Sequence, residues 1–153
     1  MSVKEKLSEL GLTLPTAAAP VAAYVPAVKS GNLVFTAGQL PVVDGKLVKE
    51  GKVGNDVSAE DAKELAQICA LNALAAISLV VDLDQVERVV RVGGFVNCAP
   101  GFTSIPGVVN GASEFLLKVF GDVNGKHART AVGVAELPLN APVEIELIVQ
   151  LKN

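Results

Sequence analysis

His127-Ala128-Arg129-Thr130-Ala131-Val132-Gly133-Val134-Ala135-Glu136 and, after a short turn, Val143-Glu144-Ile145-Glu146-Leu147-Ile148-Val149-Gln150-Leu151 decide how the rest of the chain is read. Both runs are rich in β-branched residues and alternate with period two, so both are strands whose successive side chains point to opposite faces. In the second run Val143, Ile145, Leu147, Val149 and Leu151 form an apolar face, opposed by Glu144, Glu146, Ile148 and Gln150. In the first, His127, Arg129, Ala131, Gly133 and Ala135 share one face, and Thr130, Val132, Val134 and Glu136 the other. The aliphatic faces belong against helices. The small-residue face carrying Arg129 is expected to stand open, with room above it for a ligand or a second subunit.

Upstream lie the helices that would cover the apolar faces. From Ser58, a good N-cap with Glu60 and Asp61 behind it, to about Val81, the residues Leu65, Ile68, Cys69, Asn72, Ala75, Ala76 and Leu79 recur at three- and four-residue steps. A second helix is expected from about Val108 to Phe120, stopped by Gly121 and preceded by a Pro/Gly/Ser loop over Cys98 to Gly107. Between the helices Val86 to Val96 reads as a strand, with Gly93-Gly94 marking a bulge or a close neighbour.

Nearer the N-terminus, Tyr24 to Val28 and Leu33 to Gly38 read as a hairpin about Lys29-Ser30-Gly31-Asn32, and Asp44-Gly45 marks another tight turn. Thr16 to Ala23 reads as an extended Ala/Pro linker, and residues 1–15 as a short amphipathic helix ended by Gly11 and Pro15. The expected organisation is a helical extension over residues 1–16 and one α+β domain over 17–153, a mixed sheet with two main helices on one face.

Composition narrows the function. The 153 residues are 50% hydrophobic and 19% charged, which excludes intrinsic disorder. Thirteen basic against sixteen acidic residues, net −3, oppose a nucleic-acid or anionic-membrane surface, and 4% aromatics oppose a base-stacking platform. The two cysteines, Cys69 and Cys98, show no CxxC spacing, and the opening MSVKEKLSEL has no apolar core, so a cytoplasmic location is expected. Leu65 to Val81 carries Gln67, Asn72 and Ser78 and is short for a membrane span.

Few residues can carry chemistry. Arg129, at the start of a hydrophobic strand, either closes a salt bridge or offers its guanidinium fork to a carboxylate. Glu144 and Glu146 share one face of the last strand. They are either solvated or paired, or, under a second subunit, one of them is a desolvated acid/base of raised pKa, reinforced by the like charge of the other. His127, the only histidine, reads as a loop residue ahead of the strand, although its spacing from Arg129 would let it line the same cavity. Neither a metal-ligand cluster nor a Walker A, GxGxxG or GxSxG pattern occurs, and both cysteines read as packing residues.

Three segments together resemble the RidA/YjgF superfamily of reactive enamine/imine deaminases, also labelled L-PSP endoribonucleases. They are Gly31-Asn32-Leu33-Val34-Phe35-Thr36-Ala37-Gly38-Gln39-Leu40-Pro41, Val109-Asn110-Gly111, and Ala128-Arg129-Thr130-Ala131-Val132-Gly133-Val134-Ala135-Glu136-Leu137-Pro138. The resemblance implies a chorismate-mutase-like fold and a homotrimer with a pocket at each subunit interface. It implies that Arg129 binds a substrate carboxylate and that Glu144 positions or activates water. Tyr24, Asn110, Ala37, Gly38 and His127 would line the pocket. Neither cofactor nor metal is implied, and the ligand would be a small carboxylate-bearing imine, enamine or keto acid. The activity to expect is hydrolytic deamination of a small enamine or imino acid to a 2-keto acid and ammonia. A non-catalytic carboxylate-binding trimer is the alternative, with a ribonuclease third. Ala131 and Ala37 stand where relatives often carry cysteine and serine, and His127 where proline is common, so the pocket wall differs from theirs.

Overall fold

In the computed structural model, which describes residues 1–20 and 22–153, three helices and seven strands build a two-layer α+β structure. Val21, inside the expected linker, lies outside the described residues. The helices are α1 (Val3–Glu9), α2 (Ala59–Ile77) and α3 (Ile105–Asn124). The strands are β1 (Ala27–Ser30), β2 (Leu33–Thr36), β3 (Val42–Val43), β4 (Lys46–Leu47), β5 (Val86–Asn97), β6 (Ala128–Val134) and β7 (Val143–Leu151).

Local chemistry sets most of these boundaries. Ser2 and Glu5 close a capping box on α1, with bonds of 3.1 and 2.7 Å. Ser58 Oγ accepts from the Asp61 N–H at 3.1 Å and starts α2. Asp44 and Gly45 both take positive φ, 50° and 79°, as a two-residue hairpin between β3 and β4 requires. Helix α3 begins three residues before the expected Val108, because Pro106 sits in its first turn, where a missing N–H leaves no bond unmade. Gly121 does break the helix, at φ 83° and ψ 170°, but the chain resumes a helical turn to Asn124. The expected first strand is shorter than its sequence signal: Tyr24 and Val25 precede it, and pairing starts only after Pro26, at Ala27.

The main sheet runs β1-β2-β7-β5-β6. Its pairs are antiparallel apart from β5 and β6, which α3 connects as a parallel crossover. Val89, Val92 and Val96 of β5 and Val143, Ile145, Leu147 and Val149 of β7 are fully buried beneath α2 and α3. Alanines on α2 and Gly111 on α3, whose Cα lies against the Lys63 carbonyl, bring the helices close; Gly94 lets Val109 press on the sheet, since a Cβ there would lie 2.5 Å from both valine methyls.

Strand register corrects one expectation. Arg129, Ala131 and Gly133 pair with Val92, Gly94 and Val96, all on the buried side of β5. The Arg129 face therefore looks toward α3, and the open face of β6 is the one bearing Thr130, Val132 and Val134. Small residues on β6 mark close approach rather than empty space: a Cβ at Gly133 would stand 2.9 Å from Cys98 Sγ and 3.0 Å from Ile105 Cδ1. The uncovered face of the sheet carries Val28, Phe35 and Val132, which are 51%, 40% and 40% exposed, together with Phe95, Ile148, Glu144 and Glu146.

Candidate active site

The expected site residues separate into two clusters. Asn110 and Ser113, one turn apart on the same side of α3, project to the helix-facing edge of β6. There Arg129 Nη1 donates to Asn110 Oδ1 at 2.7 Å and to Ser113 Oγ at 3.3 Å. Both acceptors hold Nη1. Among the described residues the Nε and Nη2 edge has no hydrogen-bond partner, and that edge is the side of a guanidinium that matches the two oxygens of a carboxylate. His127 joins this cluster from the loop just before β6, as its Nε2 lies 2.9 Å from Ser113 Oγ and its Nδ1 lies 2.6 Å from the Gly125 carbonyl.

Across the sheet, Glu144, Tyr24, Gly38, Gln39, Asn72 and Pro138 line a cleft of about 210 Å³. Gln39 and Ile145 exchange backbone bonds of 2.8 and 3.0 Å, which lays the Gly38 segment beside β7. Glu144 folds its carboxylate onto Gly38, into space that any Cβ at that position would take. Asn72 Nδ2 donates to the carbonyls of Leu40 and Val42, each at 3.0 Å, and so fixes the wall opposite. Tyr24 stands exposed at the rim. Ala37 lies beside the cleft rather than in its lining, with its carbonyl accepting from Gln39 Nε2.

Burial raises the Glu144 carboxyl above the ordinary glutamate range, and the nearby Glu146 charge pushes the same way. Glu146 lies in turn across Gly93, where a Cβ would stand 2.7 Å from its Cγ. Glu144 and Glu146 thus each lie over a glycine.

Arg129 and Glu144 do not meet within one chain. Arg129 pairs with Val92, Val92 with Leu147, and Glu144 lies three residues along β7. Two strand spacings and three residues of rise put their Cα atoms roughly 14 Å apart, on opposite faces of the sheet. Among the described residues no three His, Cys, Asp or Glu side chains come together as a metal would require. Cys69 is buried, its thiol 3.7 Å from the Val143 carbonyl; burial raises its pKa, and Glu144 adds to the shift. A larger cavity of about 720 Å³, beside α1 and lined by Leu7, Leu12, Val81 and Asp84 among others, holds none of these site residues.

Strand parity in the sequence singles out Glu146, but nothing in it singles out Ser113 beyond its three-residue spacing from Asn110, the signal that places both on one helix face. Among the described residues no helix is both long and apolar enough to cross a membrane.

The chain is similar to known proteins over nearly its whole length. The family model described as "YjgF/chorismate_mutase-like, putative endoribonuclease" matches residues 4–151. The chain is 43% identical over 152 residues to Protein TCP17 of Trypanosoma cruzi, covering 99% of this chain and 95% of that one. It is 32% identical over 139 residues to the 2-iminobutanoate/2-iminopropanoate deaminase of Escherichia coli strain K12, covering 89% and 94%. Among solved structures, the protein Atu1372 from Agrobacterium tumefaciens superposes with a TM-score of 0.89 at 44% identity, covering 99% of this chain and 94% of that one. A matching family model across nearly the whole length, relatives above 30% identity, and the same two-layer fold establish that this chain is a member of the RidA/YjgF family.

Proposed function

We propose that this protein hydrolyses small 2-imino acids, and the enamines that tautomerise to them, to 2-keto acids and ammonia, at clefts between the subunits of a homotrimer. The observation that carries the reading is the division of the site: a guanidinium with a free carboxylate-matching edge on one face, and a carboxyl of raised pKa over a cleft on the other. Each cluster is half of an acid/base site, and packing the uncovered sheet faces of neighbouring subunits together, with the edge strand β6 of one set against the Glu144 cleft of the next, would bring one chain's Arg129 to another's Glu144. Exposed Val28, Phe35 and Val132 on that face support such packing.

Chemically, the two halves divide the work. Arg129 takes the substrate carboxylate through Nε and Nη2 and so fixes the position of the imine carbon. Glu144, as carboxylate, accepts a proton from a water whose oxygen bonds to that carbon. Glu144 passes that proton to the imine nitrogen, giving a neutral carbinolamine, then takes the carbinolamine hydroxyl proton and delivers it to nitrogen as the C–N bond breaks, so that the keto carbonyl forms and ammonia leaves. An imine is already electrophilic, so positioning and one acid/base group, the latter contributing about 10²–10⁴-fold, suffice. A carboxyl raised by burial above the ordinary glutamate range suits a group that must both take and return a proton.

The test is ammonia release from freshly generated 2-imino acids of graded side-chain size, comparing wild type with Arg129→Ala. Turnover lost in the variant, with the oligomer intact, supports the assignment; full turnover in the variant refutes the role of Arg129. Binding of 2-keto acids without turnover of any imine would make the protein a carboxylate-binding relative instead.

A further inference from the structure

We infer that His127, acting through Ser113, is a positioning residue for Arg129, which extends the functional reading above and rests on it for the identity of the ligand. The direction of every proton in this cluster follows from which groups can only accept. The Gly125 carbonyl is an acceptor, so His127 Nδ1, 2.6 Å away, must carry the ring hydrogen. In the neutral ring Nε2 is then bare, and the Ser113 hydroxyl, 2.9 Å from it, must donate its only hydrogen there. That commits the proton and leaves the Ser113 oxygen as an acceptor toward Arg129 Nη1 at 3.3 Å. A single directed chain results: Arg129 to Ser113, Ser113 to His127, His127 to the main chain where α3 ends at Gly125.

Such a chain orients more than its separate bonds would. Asn110 alone holds Arg129 at one point, about which the guanidinium could turn. A second acceptor on the same nitrogen, itself oriented by His127, fixes the plane and keeps the Nε and Nη2 edge pointing away from the protein. Each bond polarises the next, so loss of the histidine weakens the Arg129 contact even though the two side chains share no hydrogen bond. The histidine therefore sets how well a carboxylate is held, not how fast the imine reacts.

Because His127 is the only histidine, its imidazole nitrogens are observed without overlap in a ¹⁵N-edited spectrum. The expected wild-type result is the Nδ1–H tautomer, the opposite of that favoured by a free imidazole side chain in water. The Arg129 Nε–H signal, assigned by its loss in Arg129→Lys, should be distinct in wild type and move toward the free-arginine position in Ser113→Ala and in His127→Phe. For 2-oxobutanoate, both variants should bind about tenfold more weakly. In the turnover assay KM should rise by the same factor with kcat within about twofold, the pattern of a lost ground-state contact. Ser113→Thr, which keeps the hydroxyl, should restore both.

An Nε2–H tautomer in wild type overturns the inference. So does an Arg129 signal and keto-acid affinity left unchanged in His127→Phe, and so does an equal fall in kcat and folded fraction with KM unmoved. If the wild-type protein binds no 2-keto acid, the functional reading falls. The Arg129 signal still decides the positioning: a shift in both variants sustains it, and no shift overturns it.

Discussion

Gly38→Ala should leave the protein folded and nearly inactive. Gly38 does not occupy the left-handed region of backbone space, so an alanine meets no backbone strain there. What its Cβ meets is the Glu144 carboxylate, the far end of a flexible side chain. That side chain can swing aside into another rotamer, at a cost of about 0.5–1.5 kcal/mol. For a chain of this size the loss is about 2–4 °C in Tm per kcal/mol. The carboxylate would be displaced by about 1 Å or more, and a misplacement of that size costs about 10²-fold in rate. Ammonia release from 2-iminobutanoate, followed beside a thermal melt, separates the two effects. The fall should lie in kcat, since Arg129 and its partners are on the other face, and adding Gly38→Ala to Glu144→Gln should cost little more. Full activity in Gly38→Ala, or a loss of stability beyond about 3 kcal/mol, would refute the reasoning.

The raised pKa of Glu144 also makes a stability prediction. A carboxyl whose pKa is higher folded than unfolded binds its proton more tightly in the native state, so its ionisation destabilises the fold as pH rises through that range. Glu144→Gln should therefore melt higher than wild type at neutral pH, with the gain fading as pH falls below the carboxyl's pKa; an equal shift at all pH values would contradict this. At Gly94 any side chain runs into Val109, so Gly94→Val should destabilise by about 1–3 kcal/mol or more in urea titration. Finally, Val132→Asp, on the uncovered face, should yield a folded monomer without turnover by ultracentrifugation and assay, whereas an unchanged oligomer would place the interface elsewhere.

Local signals were legible wherever they were carried by residues near one another in sequence. Strict alternation delimits Val143–Leu151 to its last residue, and Ser58 and Asp44-Gly45 announce the start of α2 and the β3–β4 turn. The pairing of Arg129 with Val92 was not legible, because parity along β6 divides its residues into two faces without saying which one a helix will cover. β6 lacks an aliphatic face to settle the matter. Alanine and glycine suit open space and tight packing equally, and only the positions of Cys98, Ile105 and Val109 distinguish them. For the same reason the candidate residue types are legible in the sequence while their separation on two faces is not. The link from Ser113 to His127 needed α3 to end where it does, beyond the Gly121 break.

That Arg129 and Glu144 lie on opposite faces of one sheet has a genetic consequence. On the proposed assembly, neither residue needs to share a polypeptide with the other to take part in the same reaction. Two alleles, Arg129→Ala and Glu144→Gln, each null by itself, would then complement when their products mix. Random assembly of equal amounts would leave about a quarter of the clefts with both intact partners, one from each neighbour. The unit on which selection acts would be the cleft, and a cell carrying both alleles would keep a function that neither allele encodes.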